Sequence, residues 1–268
     1  MKITGLATLA GAVALIAPAA VQAQDAIDIG GKIKVRAYSE SPGGGDATQR
    51  LYLKDFDLSV SAEIDEGISA EGTLKRDGDE GDIEVDDAFV TAALPGDVSI
   101  TGGLRYLPFG VFETNMISYQ LTLDLVQKLD PAAMVEGSSD ALHGAVYVYR
   151  RDTGEERDDR IGGYGTSIGY AVEGAASMFS VNVGYISDVW ELSEAPGFSA
   201  SAGGRLGDAT VLVEHVGALE ELMDGMQPSA LMFELGYSLQ NILGSDAVAA
   251  IATRALAKPP ASNFQSPA

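Results

Sequence analysis

The chain has 268 residues, with 39 acidic and 17 basic side chains, a formal net charge of −22, 32 glycines and no cysteine. The absence of cysteine excludes disulfide scaffolds, thiolate metal sites and cysteine nucleophiles. So acidic a chain is also no nucleic-acid binder, because a polyanion requires a basic footprint that displaces its counterions.

In chain order, residues 1–23 come first. One cation, Lys2, precedes an apolar stretch at 6–17, and Val21-Gln22-Ala23 supplies small residues where a signal peptidase reads them. That pattern predicts a cleaved export signal. Its removal leaves 39 acids against 16 bases (17 minus Lys2), a charge of −23.

From residue 27 the hydrophobic period is two. Ile27, Ile29, Gly31, Ile33 and Val35 share one face, and Lys32, Lys34 and Arg36 the other. Phe56, Leu58, Val60 and Ala62 then alternate with Asp55, Asp57, Ser59 and Ser61, and Ile100, Gly102 and Leu104 alternate with Thr101, Gly103 and Arg105. Similar runs follow at 141–150, 163–172, 178–186, 198–206, 210–216 and 230–239. Most have about 9–11 residues, the length of a tilted strand that crosses a bilayer.

The connections alternate in length. Tight turns at 65–67, 95–97, 137–140, 173–176 and 207–208 are separated by longer polar links at 39–49, 76–82, 110–127, 151–162, 187–196 and 217–229. Short turns on one side and long loops on the other are the habit of transmembrane barrels. The expected fold is therefore all-β, an antiparallel transmembrane β-barrel spanning 24–254, with about 12 strands. Alternation alone leaves open which face meets lipid, since a soluble sandwich would turn the apolar face inward. The long link at 219–226 has room for one or two helical turns as a loop cap.

A thirteenth strand is expected near 246–254, and 255–268 reads as an irregular tail without a terminal aromatic. An odd strand number leaves an unpaired edge, costly in hydrocarbon. Either twelve strands close, or the chain is a truncated product; the composition of the tail favours truncation.

Two sets of residues are candidates for function. Lys32, Lys34, Arg36, Arg105 and Arg205 lie on polar strand faces, where cations lower the barrier for anions in a pore. Asp55, Asp57, Glu63 and Glu71 share such faces and offer charge balance instead. The second set lies in the block from Gly103 to Leu125, which contains Arg105-Tyr106-Leu107-Pro108-Phe109-Gly110-Val111-Phe112-Glu113-Thr114-Asn115 and then Leu121-Thr122-Leu123. Pro108 removes a ladder donor and Gly110 permits a tight bend, so a strand ends there. Phe109 and Phe112 suit an aromatic belt or a loop packed into a barrel mouth.

This block, preceded by Asp86-Asp87-Ala88-Phe89-Val90, resembles the outer-membrane siderophore porins of the LbtU type. It departs from their pattern at Leu104 and at Tyr119-Gln120. The resemblance implies passage of a ferric siderophore through an outer-membrane barrel, with membrane lipid and a small solute as partners and Tyr106, Pro108, Phe109, Gly110, Phe112 and Asn115 as the motif corner. An anion, phosphate or general porin is the alternative, and a secreted structural β-protein a second one. No cofactor, metal site or enzymatic activity is expected: Asp77, Asp79, Gly81 and Glu84 lack calcium-loop spacing, and neither G-x-S-x-G nor a nucleophile–base pattern accompanies His143 and His215.

Overall fold

The computed structural model describes residues 11–15, 27–40, 48–78, 81–115, 121–151, 161–189, 195–221, 227–239 and 248–256. They form two compact units, 1–91 and 92–268. The first carries β1 (Gly11–Leu15), β2 (Ile27–Glu40), β3 (Thr48–Asp65) and β4 (Ile68–Asp77), and β5 (Glu84–Leu94) runs across the boundary. The second carries β6 (Val98–Tyr106), α1 (Leu121–Val126), β7 (Leu129–Ser139), β8 (Leu142–Arg150), β9 (Ile161–Glu173), β10 (Ser177–Ile186), β11 (Gly197–Leu206), β12 (Ala209–Ala218), β13 (Ser229–Ser238) and β14 (Val248–Leu256).

Within each unit, strands adjacent in sequence pair antiparallel: β1 to β4 in the first and β6 to β14 in the second. The twelve strands read from the alternation are all present, and so is the thirteenth, shifted to 248–256. The strand therefore continues two residues beyond 254, and 257–268 lies outside the described residues. A further strand was not anticipated: β1, inside the segment read as an export signal, pairs with β2 from Gly11↔Ala37 to Leu15↔Ile33. The tight turns fall as expected, with left-handed backbone at Gly67, Gly96, Asp97, Asp140 and Gly207.

The helix is displaced from its expected place. Residues 219–221 are not helical, and 222–226 lie outside the described residues. The helical turn occurs instead at 121–126, within the link read as a loop. There Thr122 and Val126, one turn apart on the same helix face, are both buried.

Exposure decides the question of faces. Large apolar side chains point outward: Val146 is 58% exposed, Ile168 55% and Phe179 49%, whereas Tyr147 and Tyr149, on the opposite face of β8, are 3% and 1% exposed. Ile29, Ile33, Val60 and Leu74 are likewise exposed in the first unit. A water-soluble sandwich would bury these residues. On the outer face of the second unit, Tyr164, Tyr185 and Phe198 mark one level and Tyr170, Phe179 and Tyr237 another, six residues apart along β9 and β10. Six strand residues span about 20 Å along the strand, so both levels fit within an apolar band about 25 Å tall.

The inward faces differ between units. In the first they are polar. In the second, apolar packing occupies part of the inner face: Met134, Tyr147, Tyr149, Ile186, Val216 and Ala230 cluster with Leu107, Phe109 and Val126. The connection following β6 covers this part and buries it. Glycines on β9 give the large side chains room, since a Cβ at Gly163 or Gly165 would overlap the ring of Tyr149 or Tyr147.

Adjacent residues on opposite faces test this orientation. Val60→Arg should destabilise the protein in liposomes by about 2–4 kcal/mol if the residue lies near the midplane, seen as a lower urea midpoint. Ser61→Arg, opposite Glu71 on the polar face, should leave that midpoint within about 1 kcal/mol.

Candidate functional site

The site is built by residues 107–115 and 121–126, which fold onto the inner face of β12 and β13. Gly110 adopts φ +90° and Phe112 φ +53°. The Phe112 ring lies where a Cβ on Gly110 would stand, so this position requires glycine both for its dihedral and for space. A bulky residue in the left-handed region costs on the order of 1–3 kcal/mol and persists only when its surroundings hold it. Two buried carboxylates do so.

Glu214 on β12 and Glu234 on β13 are 3% and 0% exposed. They are diagonal neighbours, because Glu214 pairs with Met232 and Leu212 with Glu234. Val111 and Phe112 donate their backbone N–H groups to Glu214 Oε1 at 2.8 and 3.2 Å, and the Thr122 hydroxyl donates to Oε2 at 2.7 Å. Asn115 donates both its backbone N–H (2.6 Å) and its side-chain Nδ2 (2.8 Å) to Glu234 Oε1, and the Thr114 hydroxyl donates to Oε2 at 2.6 Å. Six donors from one connection thus satisfy two carboxylates. Phe109, 1% exposed, packs near Gly184 and Gly197 on the inner faces of β10 and β11.

The base of the segment is latched separately. Leu107 N–H donates to the Lys128 carbonyl at 2.9 Å. The Lys128 ammonium pairs with buried Asp188 and lies 4.7 Å from the Tyr149 ring centroid. Arg151 approaches the same carboxylate at 3.6 Å, and the Tyr149 hydroxyl donates to the Asp188 carbonyl at 3.4 Å.

The motif corner is thereby accounted for within the fold. Phe109, Gly110, Phe112 and Asn115 fasten the segment to the wall. Pro108 lies just beyond the end of β6, and Tyr106 is the last residue of that strand, opposite Leu129. Of the two settings foreseen for Phe109 and Phe112, the inward-packed loop is the observed one. Sequence reasoning passed over Glu214 and Glu234. The signal was available, as each is the one acid of its strand.

The candidate cations all have polar partners. Lys32 lies 2.5 Å from Asp57 and Lys34 2.9 Å from Asp55, and Arg36 donates to the Tyr52 hydroxyl at 3.3 Å. Register continues Lys32↔Asp57 to Lys75 on β4, which lies 4.0 Å from Asp86. A rung of alternating sign therefore crosses β2 to β5. In the second unit Arg105 pairs with Glu136 at 3.3 Å and Arg205 with Glu173 at 3.4 Å. Lys32, Lys34 and Arg36 lie on one strand of the first unit, and Arg105 and Arg205 on separate strands of the second.

The histidines also separate. His143 faces inward and contacts Asn182 at 2.9 Å, whereas His215 is exposed on the outer face of β12. Among the described residues no cluster of His, Cys, Asp or Glu has the arrangement of a metal site.

No protein-family model and no curated sequence matches the chain. Solved structures do. An anion-selective porin from Comamonas acidovorans matches over 91% of this chain and 78% of its own, at 10% identity and a TM-score of 0.57. The outer-membrane channel DcaP of Acinetobacter baumannii matches over 88% and 80%, at 13% identity and a TM-score of 0.55. The chain has the outer-membrane β-barrel porin fold. With that fold and apolar outward faces, the strands belong in the hydrocarbon of the outer membrane.

Removing both clamps should free the inserted segment. Hydrogen bonds to a charged group contribute about 1.5–3 kcal/mol each, so the Glu214→Ala/Glu234→Ala variant should expose residues 107–126 to protease and raise single-channel conductance. Unchanged conductance together with unchanged protease resistance would show that the clamp does not hold the segment.

Proposed function

We propose that the protein is an outer-membrane porin channel that passes small polar solutes with a preference for anions. The observation that carries this reading is the exposure of the paired charges in the first unit. Lys32 is 45% exposed against 16% for Asp57, and Lys34 28% against 5% for Asp55. Each carboxylate sits low against the sheet and each ammonium stands above it. A solute approaching that face meets positive charge first, while the hidden carboxylate offsets the repulsion between neighbouring cations. Lys32, Lys34 and Arg36 repeat every second residue, about 7 Å apart along β2. A row so spaced offers successive weak contacts, which favours conduction over tight binding. The similar porin from Comamonas acidovorans is described as anion-selective, which agrees with this reading.

A second reading, passage of a ferric siderophore, is supported by the resemblance of the block at 103–125. Many such chelates carry carboxylates, so they would call on the same lysines. Iron-limited growth of a deletion strain on a ferric siderophore, with and without the restored gene, tests it; equal growth removes it.

Reconstitution in a planar bilayer under a potassium chloride gradient tests the main reading. The reversal potential should carry the sign of chloride preference, and Lys32→Glu/Lys34→Glu should shift it towards potassium. A potassium-preferring parent protein would overturn the anion assignment and leave a general channel.

A further inference from the structure

Beneath the inserted segment, on the turn side of the second unit, lies a cavity of about 770 Å³. Its lining interleaves serine hydroxyls, the Asn182 amide and the His143 imidazole with apolar side chains such as Val98, Ile168 and Val183. Register sets one rung across five pairings: Ser138–His143, His143–Gly169, Gly169–Asn182, Asn182–Ser201 and Ser201–Glu214. Along it His143 Nε2 and Asn182 Oδ1 are 2.9 Å apart, and Asn182 Nδ2 donates to Ser201 Oγ at 3.5 Å. The first contact passes over Gly169, where any Cβ would overlap both partners. Ser167 and Ser199 flank Gly184 on the next rung, so two small hydroxyls replace bulk there. The far end of the polar rung is Glu214, the carboxylate that holds Val111 and Phe112 of the roof.

We infer that this cavity binds a neutral, hydroxyl-rich solute: a saccharide. Serine hydroxyls and the asparagine amide both donate and accept, as sugar hydroxyls do. The carboxylates of the lining are Asp97, Glu113 and Glu136, with no lysine or arginine among the lining residues; Arg105 offsets Glu136 alone, so an anionic ligand would still meet net repulsion. An apolar ligand would strip water from hydroxyls it cannot replace, which is unfavourable. The volume lies within the roughly 300–1,000 Å³ of small-molecule sites. Selection by hydrogen bonding here is compatible with the anion-preferring current proposed above.

The full-length protein in a planar bilayer, titrated with maltotriose, provides the test. Maltotriose should interrupt the current saturably. Polyethylene glycol of equal hydrodynamic size and trigalacturonate should do so at least about tenfold more weakly. The Asn182→Leu/Ser201→Val variant, its folding checked by heat-modifiable gel migration, should weaken maltotriose binding by about tenfold. Equal interruption by the polyether or by the sugar acid would overturn the inference. Calorimetric titration of maltotriose into detergent-solubilised protein reads the same site without conduction. Heat of binding in a protein that does not conduct would retain the site and remove the transport reading; a conducting channel with neither interruption nor heat would remove the site alone.

Discussion

A backbone amide without a partner in hydrocarbon costs several kcal/mol, and this requirement orders the rest of the chain. It makes neighbouring strands pair antiparallel, turns apolar side chains such as Val146, Ile168 and Phe179 outward, and leaves the opposite face to whatever the interior demands. The hydrophobic effect, which would drive those side chains inward in water, operates here only where the inner face is covered by protein.

That cover exists in the second unit and produces a core of an unusual kind. Residues 107–115 and 121–126 leave the plane of the strands and lie against the wall, burying Phe109 and Val126 among Met134, Tyr147 and Val216. Such a segment brings backbone donors that have no ladder to join. Glu214 and Glu234 accept them, so two carboxylates that would be costly when buried alone are stabilised by charge-assisted hydrogen bonds. The left-handed Gly110 and Phe112 follow from the same arrangement, since their conformation aims consecutive N–H groups at one oxygen. Glycines on β9 complete it by giving the tyrosines of β8 room.

The polar interiors use charge in two ways. In the first unit lysines and aspartates alternate along a rung, with the ammonium groups nearer to water. In the second, the cavity lining has carboxylates but no lysine or arginine, and serine, asparagine and histidine hydrogen-bond along it. A row of cations and a row of hydroxyls discriminate differently: the former by long-range potential, the latter by matched donors and acceptors. Both rest on the period of two, which keeps every second residue on one face regardless of its chemistry.

Much of the fold was legible in the sequence because strand periodicity and turn chemistry are local. Alternation located twelve strands and the candidate thirteenth, and Gly67, Gly96 and Gly207 marked turns that need positive φ. The partners of Lys32 and Lys34 could be named as options, since Asp55 and Asp57 share their period. Register alone decided which carboxylate each lysine meets, because pairing offset depends on the bulge between Lys34 and Val35. The role of the Pro108–Asn115 block was likewise closed to sequence reading. Its donors meet Glu214 and Glu234 about a hundred residues away, and a contact of that separation follows from the order in which strands pair, not from any local pattern. Period and connection length determined the strands and their turns; only the tertiary structure decided that the apolar faces point outward and that the motif fastens a segment inside, because side-chain exposure and hydrogen bonds across strands are set by geometry that no single strand encodes.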